Sequence, residues 1–224
     1  MKDKFVNRSC FVLGNGPSLS FELLKTIASK KFPVFVSNGF CIALDQIEFY
    51  PDFVCMSNFD AVRKYLDFYS PNTIKFIKKG YTGINKYKNI YELPFECEHD
   101  KGIHKAPFIK DGFFSDNPFE VNYCGDTVLL EFAIPLAYFM GFKTIYLAGV
   151  DCDYTKGYFV DNYKKSCTQN FQGMINNDFS IAIPSYNYAF NFLKSKDIKI
   201  FRLTKSLKLD FIPFINPKQV ITAR

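Results

Sequence analysis

At 224 residues, with 48% hydrophobic side chains, the chain is long enough to bury one sizeable core and short for two. Its formal charge of +6 is spread over short runs such as Lys75 to Gly80 and forms no concentrated basic face, which argues against nucleic acid as a partner. The longest apolar stretch, Val128 to Phe142, is broken by Glu131 and Pro135 and falls short of the roughly 20 residues of a spanning helix.

In chain order, the first predicted strand is Cys10–Leu13, followed at once by Gly14-Asn15-Gly16-Pro17-Ser18. A helical period then places Phe21, Leu24, Ile27 and Ala28 on one face. The strand Val34–Ser37 runs into Asn38-Gly39, and Phe53–Ser57 into Asn58 and Asp60. A second amphipathic helix sets Val62, Tyr65, Leu66 and Tyr69 inward, ahead of a strand at Thr73–Ile77. Residues 94–124, rich in Pro, Gly, Asp and aromatics, read as a loop insertion. Gly125-Asp126-Thr127 precedes a mostly apolar helix, Val128 to Met140, expected to lie against the sheet. The strand Thr144–Leu147 leads to Asp151-Cys152-Asp153-Tyr154 and a second long insertion, 151–178. A helix from Ser185 to Lys194 feeds the last strand, Lys199–Leu203. Strands alternating with helices predict an α/β protein: a single Rossmann-like domain over 1–224, with a mostly parallel sheet, helices on both faces and a lid-like insertion.

Seven cysteines, at 10, 41, 55, 97, 124, 152 and 167, form no Cys-x-x-Cys pair, and several sit in apolar runs. They read as reduced, buried thiols of a cytoplasmic protein. The start of the chain carries no apolar signal-peptide core. Peripheral attachment at the inner membrane face, through Lys205, Lys208 and the apolar Phe211–Ile215, and homo-oligomerisation are left open.

Ligands of open α/β sheets bind outside the carboxyl ends of the strands. Here those ends carry Asn, Ser, Thr, Asp and Gly. Asparagine offers both a donor and an acceptor for base edges or ribose hydroxyls. Gly14 and Gly16 let backbone approach a ligand, and amides opening a helix favour an anion. Turns and helix caps use the same residues, so the convergence of several such loops at one edge is what favours a site. The loop is neither a Walker motif, lacking its Lys and Ser/Thr, nor a complete dinucleotide fingerprint. Asp151 and Asp153 form an Asp-x-Asp, a pattern that suits Mg²⁺ or Mn²⁺, although alternate residues at a strand end point to opposite sides. One aspartate bonding loop amides and the other exposed is an equal reading.

"LGNGPSLS", "VSNGF", "FVCMSN" and "GFKTIYLAGVDCDY", in that order, resemble the bacterial sialyltransferases that use CMP-sialic acid and the central domain of motility-associated flagellin glycosylation factors. They also resemble the broader 6-hydroxymethylpterin diphosphokinase-like family. The resemblance implies that Gly14, Asn15, Gly16, Pro17 and Ser18 hold the nucleotide's phosphate and sugar, and that Asn38 and Asn58 meet the nucleotide or its donor sugar. It further assigns Thr127, Asp151 and Tyr154 to nucleotide binding. Those sialyltransferases take a histidine shortly before the last helix as general base, and the matching stretch here, Asn176 to Phe190, has none. His104, Asp126 and Asp153 are the candidate bases, with Asp178 a further carboxylate and His99 the other histidine.

The expected function is a glycosyltransferase moving a sugar, a sialic or other nonulosonic acid, from a CMP-linked nucleotide-sugar donor to a glycan acceptor, without cofactor or metal. Tyr154, Tyr158 and Tyr163 would form its lid. One alternative is Mg-dependent pyrophosphate transfer from ATP to a pterin. It has only Arg8, Arg63, Arg202 and Arg224 to meet a triphosphate. Another is a nucleotide-binding module without catalysis.

Overall fold

Alternation along the first strand sets the layers. In β1 (Ser9–Leu13) Cys10 and Val12 enter one core, while Phe11 and Leu13 enter the other. A strand buried on both faces is the mark of a covered parallel sheet. The computed structural model describes residues 1–47, 50–95, 97–98, 103–104, 107–153, 155, 157–160, 180–206 and 208–220.

The main sheet adds β2 (Val34–Ser37), β3 (Phe53–Met56), β4 (Ile74–Lys78), β5 (Ile90–Leu93), β8 (Thr144–Ala148) and β9 (Lys199–Arg202). Its order is β5-β4-β3-β2-β1-β8-β9, and every pairing is parallel. The chain thus builds outward from β1 to β5, then returns to the other side of β1 with β8. The strand order reverses between β1 and β8, and their carboxyl ends form the crevice in which open α/β sheets place ligands. Between the two halves, β6 (Cys97–Glu98) and β7 (Ile103–His104) form a small antiparallel hairpin inside the first predicted insertion.

Helices cover both faces, as expected. Helix α1 (Phe21–Ser29) starts at Ser20, whose hydroxyl accepts the Leu23 N–H at 3.2 Å. Leu24 and Ile27 of α1, with Val62 and Tyr65 of α2 (Phe59–Tyr65), fill the core that Phe11 and Leu13 enter. Ile134 and Leu136 of α3 (Ile134–Phe139), with Ala189 and Leu193 of α4 (Ile183–Ser195), fill the other.

The apolar helix expected from Val128 to Met140 is buried but not uniform. It opens with a π-turn, Leu129–Ala133, in which the Ile134 N–H reaches back five residues to the Leu129 carbonyl. Pro135, next in line, has no N–H to continue the ordinary four-residue ladder, so a wide turn is tolerated there. The six predicted strands are present to within a residue or so, and β5 is the strand of the main sheet that composition missed.

The cysteine expectation needs one correction. Cys10, Cys41, Cys55 and Cys152 are buried free thiols, whereas Cys124 is disulfide-bonded. Among the described residues no helix is long and apolar enough to cross a membrane. Leu209 and Ile212, in and beside the apolar stretch weighed as a membrane contact, are buried in the core.

Candidate functional site at the switch point

At the crevice the turn after β1 is pressed onto the turn after β8. The Gly14 N–H donates to the Ala148 carbonyl at 2.8 Å, and the Gly16 N–H to the Gly149 carbonyl at 2.9 Å. A Cβ on Gly14 would lie 2.3 Å from the Gly149 oxygen. One on Gly16 would lie 2.2 Å from Asp151 Oδ2 and 2.7 Å from the Gly149 oxygen. Both glycines are therefore required by the close approach of the two turns. What they approach is the β8 turn rather than a ligand.

The loop's amides are also engaged within the protein. The Ser18 N–H donates to Asp151 Oδ2 at 2.9 Å and the Leu19 N–H to the Gly16 carbonyl at 3.1 Å. Burial pushes the Asp151 carboxyl above its ordinary value. The Ser18 hydroxyl and N–H oppose that shift, and neighbouring Asp153 adds to it. Asp151 thus clamps the glycine loop from inside. The loop's offer to a ligand is consequently made more by side chains than by a ring of free amides.

Those side chains come from the ends of β1 and β2. Asn15 Nδ2 donates to Ser37 Oγ at 3.2 Å and to the Ser37 carbonyl at 3.4 Å. The next residue, Asn38, adopts a left-handed φ of +44°. Its carbonyl accepts the Tyr69 hydroxyl at 2.6 Å, and the same Tyr69 oxygen accepts the Cys41 N–H at 3.1 Å. Asn38 is thereby held in place through its backbone, while its side-chain Oδ1 is buried with no hydrogen-bond partner among the described residues. Above them the Asn15 carbonyl accepts the Phe159 N–H at 3.2 Å, and the Phe159 ring lies 5.6 Å from Phe40 and 6.0 Å from Phe21. The second insertion therefore starts by crossing over the glycine loop. Tyr158 packs partly buried on the same core, and Tyr154 and Tyr163 lie outside the described residues.

Asn58 is placed differently. It caps α2, its Oδ1 accepting the Ala61 N–H at 2.7 Å, so the acceptor foreseen for a nucleotide is already engaged. The Gly125–Thr127 turn joins the crevice through a tyrosine. Thr127 Oγ1 lies 3.2 Å from the Tyr186 hydroxyl and accepts the Leu130 N–H at 3.4 Å, while the Thr127 carbonyl accepts the Glu131 N–H at 2.9 Å. Tyr186, on α4, is fully buried. Its phenol is raised well above the usual value, first by burial, then by the nearby Cys152, with the Thr127 bond opposing and Glu131 adding. Tyr186 is thus where the Asp126 turn meets the β8 turn. Asp126 and Cys152 both take left-handed φ, at +62° and +52°.

The two acids of the Asp-x-Asp do not converge. Asp151 is buried on Ser18. Asp153 Oδ1 accepts the Thr155 N–H at 3.0 Å and hydroxyl at 2.7 Å, and its Oδ2 lies 3.9 Å from Lys208 Nζ. A hard cation would need several oxygens turned to one point. No group of three or more His, Cys, Asp or Glu able to hold a metal occurs among the described residues. The side chains present therefore do not fit a Mg²⁺ site at this motif.

The backbone of His104 lies in β7 opposite Cys97, and its side chain, like His99, Tyr154 and Asp178, is outside the described residues. Sequence reasoning missed Ser37, Tyr186, Phe159 and, after β9, Thr204 and Ser206. A cavity of about 310 Å³, lined by Phe5, Arg8, Phe32, Tyr50 and Asp52, opens at the opposite, amino-terminal edge of the sheet and shares none of these groups.

The sequence pattern of the 6-hydroxymethylpterin diphosphokinase MptE-like family matches residues 1–157. That span contains the glycine loop, Asn38, Asn58, Asp126 and Asp153, and stops before α4. No curated protein matches the chain. Among solved structures, the MAf glycosyltransferase from Magnetospirillum magneticum AMB-1 is similar in fold, with a TM-score of 0.63 at 10% sequence identity. The likeness covers 99% of this chain and 36% of that one. A glycine loop locked to the β8 turn at the switch point of a parallel sheet is thus the setting of the matched segment, and the chain belongs to the 6-hydroxymethylpterin diphosphokinase MptE-like family.

Proposed function

We propose that the chain is a glycosyltransferase that moves a sugar, a sialic or other nonulosonic acid, from a CMP-type donor to a bacterial surface glycan. Asn38 is the observation that carries the reading. Buried polar atoms are nearly always bonded, so an acceptor held at the carboxyl edge with no partner among the described residues calls for a donor group on a ligand. A nucleotide's exocyclic amine or ribose hydroxyl supplies one. Similarity in fold to a glycosyltransferase is in keeping with this reading.

In this reading Asn15, Ser37 and Asn38 hold the nucleoside end, and the glycine loop, Gly14 to Ser18, bounds the phosphate. Pre-set polar groups steady the leaving phosphate as positive charge grows on the sugar. Asp153 is already neutralised by Lys208 and bonded by Thr155, which makes it a poor base. Asp126, on its left-handed turn, takes the acceptor's proton. The chain opposite Asn15, from Tyr158 to Val160, excludes water from the donor. Residence in the cytoplasm, where CMP-linked donors are met, belongs to the same proposal.

A second reading comes from the family's description: pyrophosphate transfer from ATP to a hydroxymethylpterin with Mg²⁺. It needs converging oxygen ligands, and Asp151 and Asp153 face different partners. Thermal unfolding against CMP, CDP, UDP, GDP and ATP, each with and without Mg²⁺, separates the two. A ligand that binds only the folded chain raises its stability by mass action. A metal-independent shift with CMP is expected. A shift confined to ATP with Mg²⁺ transfers the weight to the diphosphokinase reading, and no shift with any nucleotide overturns both. CMP binding without turnover of CMP-nonulosonates identifies a binding module.

A further inference from the structure

The segment after β9 meets the β8 turn in step. Thr204 Oγ1 accepts the Gly149 N–H at 3.3 Å, Ser206 Oγ donates to the Asp151 carbonyl at 3.1 Å, and Lys208 Nζ lies 3.9 Å from Asp153 Oδ2. Residues 204, 206 and 208 thus engage 149, 151 and 153, the every-second-residue matching of extended chain. Thr204 and Ser206 are buried, and Lys208 also donates to Ser180 Oγ at 2.7 Å, at the turn that leads into α4.

None of these contacts is to the glycine loop itself. Each holds a residue of the turn on which that loop rests. The Gly149 carbonyl takes the Gly16 N–H, and the Asp151 carboxylate takes the Ser18 N–H. A rigid ligand loop needs its supports fixed as well as its contacts.

We propose that Thr204, Ser206 and Lys208 are a strap of positioning residues, which set the glycine loop through Gly149 and Asp151 and hold Asp153 turned away from the donor. The strap fixes the loop whatever binds there; its effect on affinity rests on the nucleotide reading above. Lys208 has a second consequence, since its ammonium balances a carboxylate that would otherwise repel an anionic donor.

Ser206→Ala and Lys208→Met test the strap, with Lys208→Arg as the conservative control. Two quantities are read: CMP affinity, and hydrogen exchange of the Gly16 and Ser18 amides. Ser206 touches neither amide, so faster exchange there, with β3 and β4 unchanged, reports transmission through Asp151 and not general loosening. The strap predicts that exchange pattern in Ser206→Ala and CMP binding about tenfold weaker in both variants. Lys208→Arg should retain wild-type affinity. Unchanged exchange at Gly16 and Ser18 in Ser206→Ala overturns the strap, as does exchange raised equally throughout the sheet. Should the wild-type chain bind no nucleotide, the functional reading fails by itself, and the exchange pattern still decides the strap.

Discussion

Ser18 and Asp151 are joined across 133 residues of sequence, the Ser18 N–H donating to the carboxylate at 2.9 Å. The bond ties the first strand's turn to that of a strand formed more than a hundred residues later, on the far side of the topological switch. It also places a carboxylate against an amide of the very loop expected to cradle a phosphate. The clamp gives the loop its shape without a ligand. A donor phosphate then settles beside a pre-set loop and does not order one, which is how binding avoids an entropic penalty.

The sign of the Asp151 shift makes this clamp testable by pH. Burial raises its folded-state pKa above 3.8, so the folded chain holds the proton more tightly than the unfolded chain does. Its contribution to stability is fully present below pH 3.8 and is lost as pH rises through the raised value. Asp151→Asn keeps an oxygen for the Ser18 N–H and removes the titration. The difference in urea stability should therefore move in favour of the Asn variant as pH climbs from below 3.8, then level off above the raised value. A difference that is flat with pH would show that Asp151 is not desolvated in solution.

Gly16→Ala is expected to be strongly damaging. The new Cβ would meet Asp151 Oδ2 at 2.2 Å and the Gly149 oxygen at 2.7 Å, and the second of these is backbone. Relief requires the two turns to separate, at about 1–3 kcal/mol of stability. CMP binding should be lost with it. A variant as stable as wild type would mean that the turns are further apart than 2.9 Å of Gly16–Gly149 hydrogen bond allows.

Asn38 and Asn15 look alike in sequence and should behave differently. Asn38→Gly keeps the left-handed backbone, which glycine adopts freely, and keeps the carbonyl that receives the Tyr69 hydroxyl. Stability should stay within about 0.5 kcal/mol while CMP affinity falls about tenfold. Asn15→Ala breaks the tie to Ser37 and should reduce stability by about 1 kcal/mol as well as affinity. Paired denaturation and binding titrations on both variants check this. Equal behaviour of the two would remove Asn38 from the site.

The layer order was legible because a parallel sheet covered on both faces needs apolar runs, and Cys10–Leu13, Val34–Ser37 and Phe53–Met56 are such runs. Strand β5 was not, since Ile90–Leu93 includes an exposed Tyr91 and a Glu92 at the sheet's edge, where periodicity is weak. Within the site, glycines and asparagines after strands announced a loop but not its partner. A sequence carries no sign of whether Gly16 approaches a phosphate or the Gly149 carbonyl, because either demands a missing Cβ. Thr204 and Ser206 escaped notice, and Lys208 was read only as a membrane contact, for a related reason. Polar residues at every second position after a last strand look like a solvated edge, and only the register against residues 149–153 gives them a role. Tyr186 was hidden by its helix, where one more aromatic among apolar neighbours reads as core.

Lys75 supplies a test of the fold away from the site. It lies on β4 at 2% exposure, its Nζ donating to the carbonyls of Ser70 and Thr73, each at 2.8 Å. An ammonium taken out of water loses hydration that two carbonyls only partly replace, and burial accordingly lowers its pKa from 10.5. The unfolded chain therefore binds this proton more tightly than the folded one between the depressed value and 10.5. Stability must rise with pH across that window and be flat above it. Lys75→Met retains most of the buried stem and abolishes the titration. The other lysines titrate in both proteins and cancel in the comparison. Wild type should gain on the Met variant as pH rises toward 10.5, read as a growing separation of their urea midpoints. A constant separation would mean that the ammonium reaches water in solution, and that the carbonyl pair on Ser70 and Thr73 does not hold it inside.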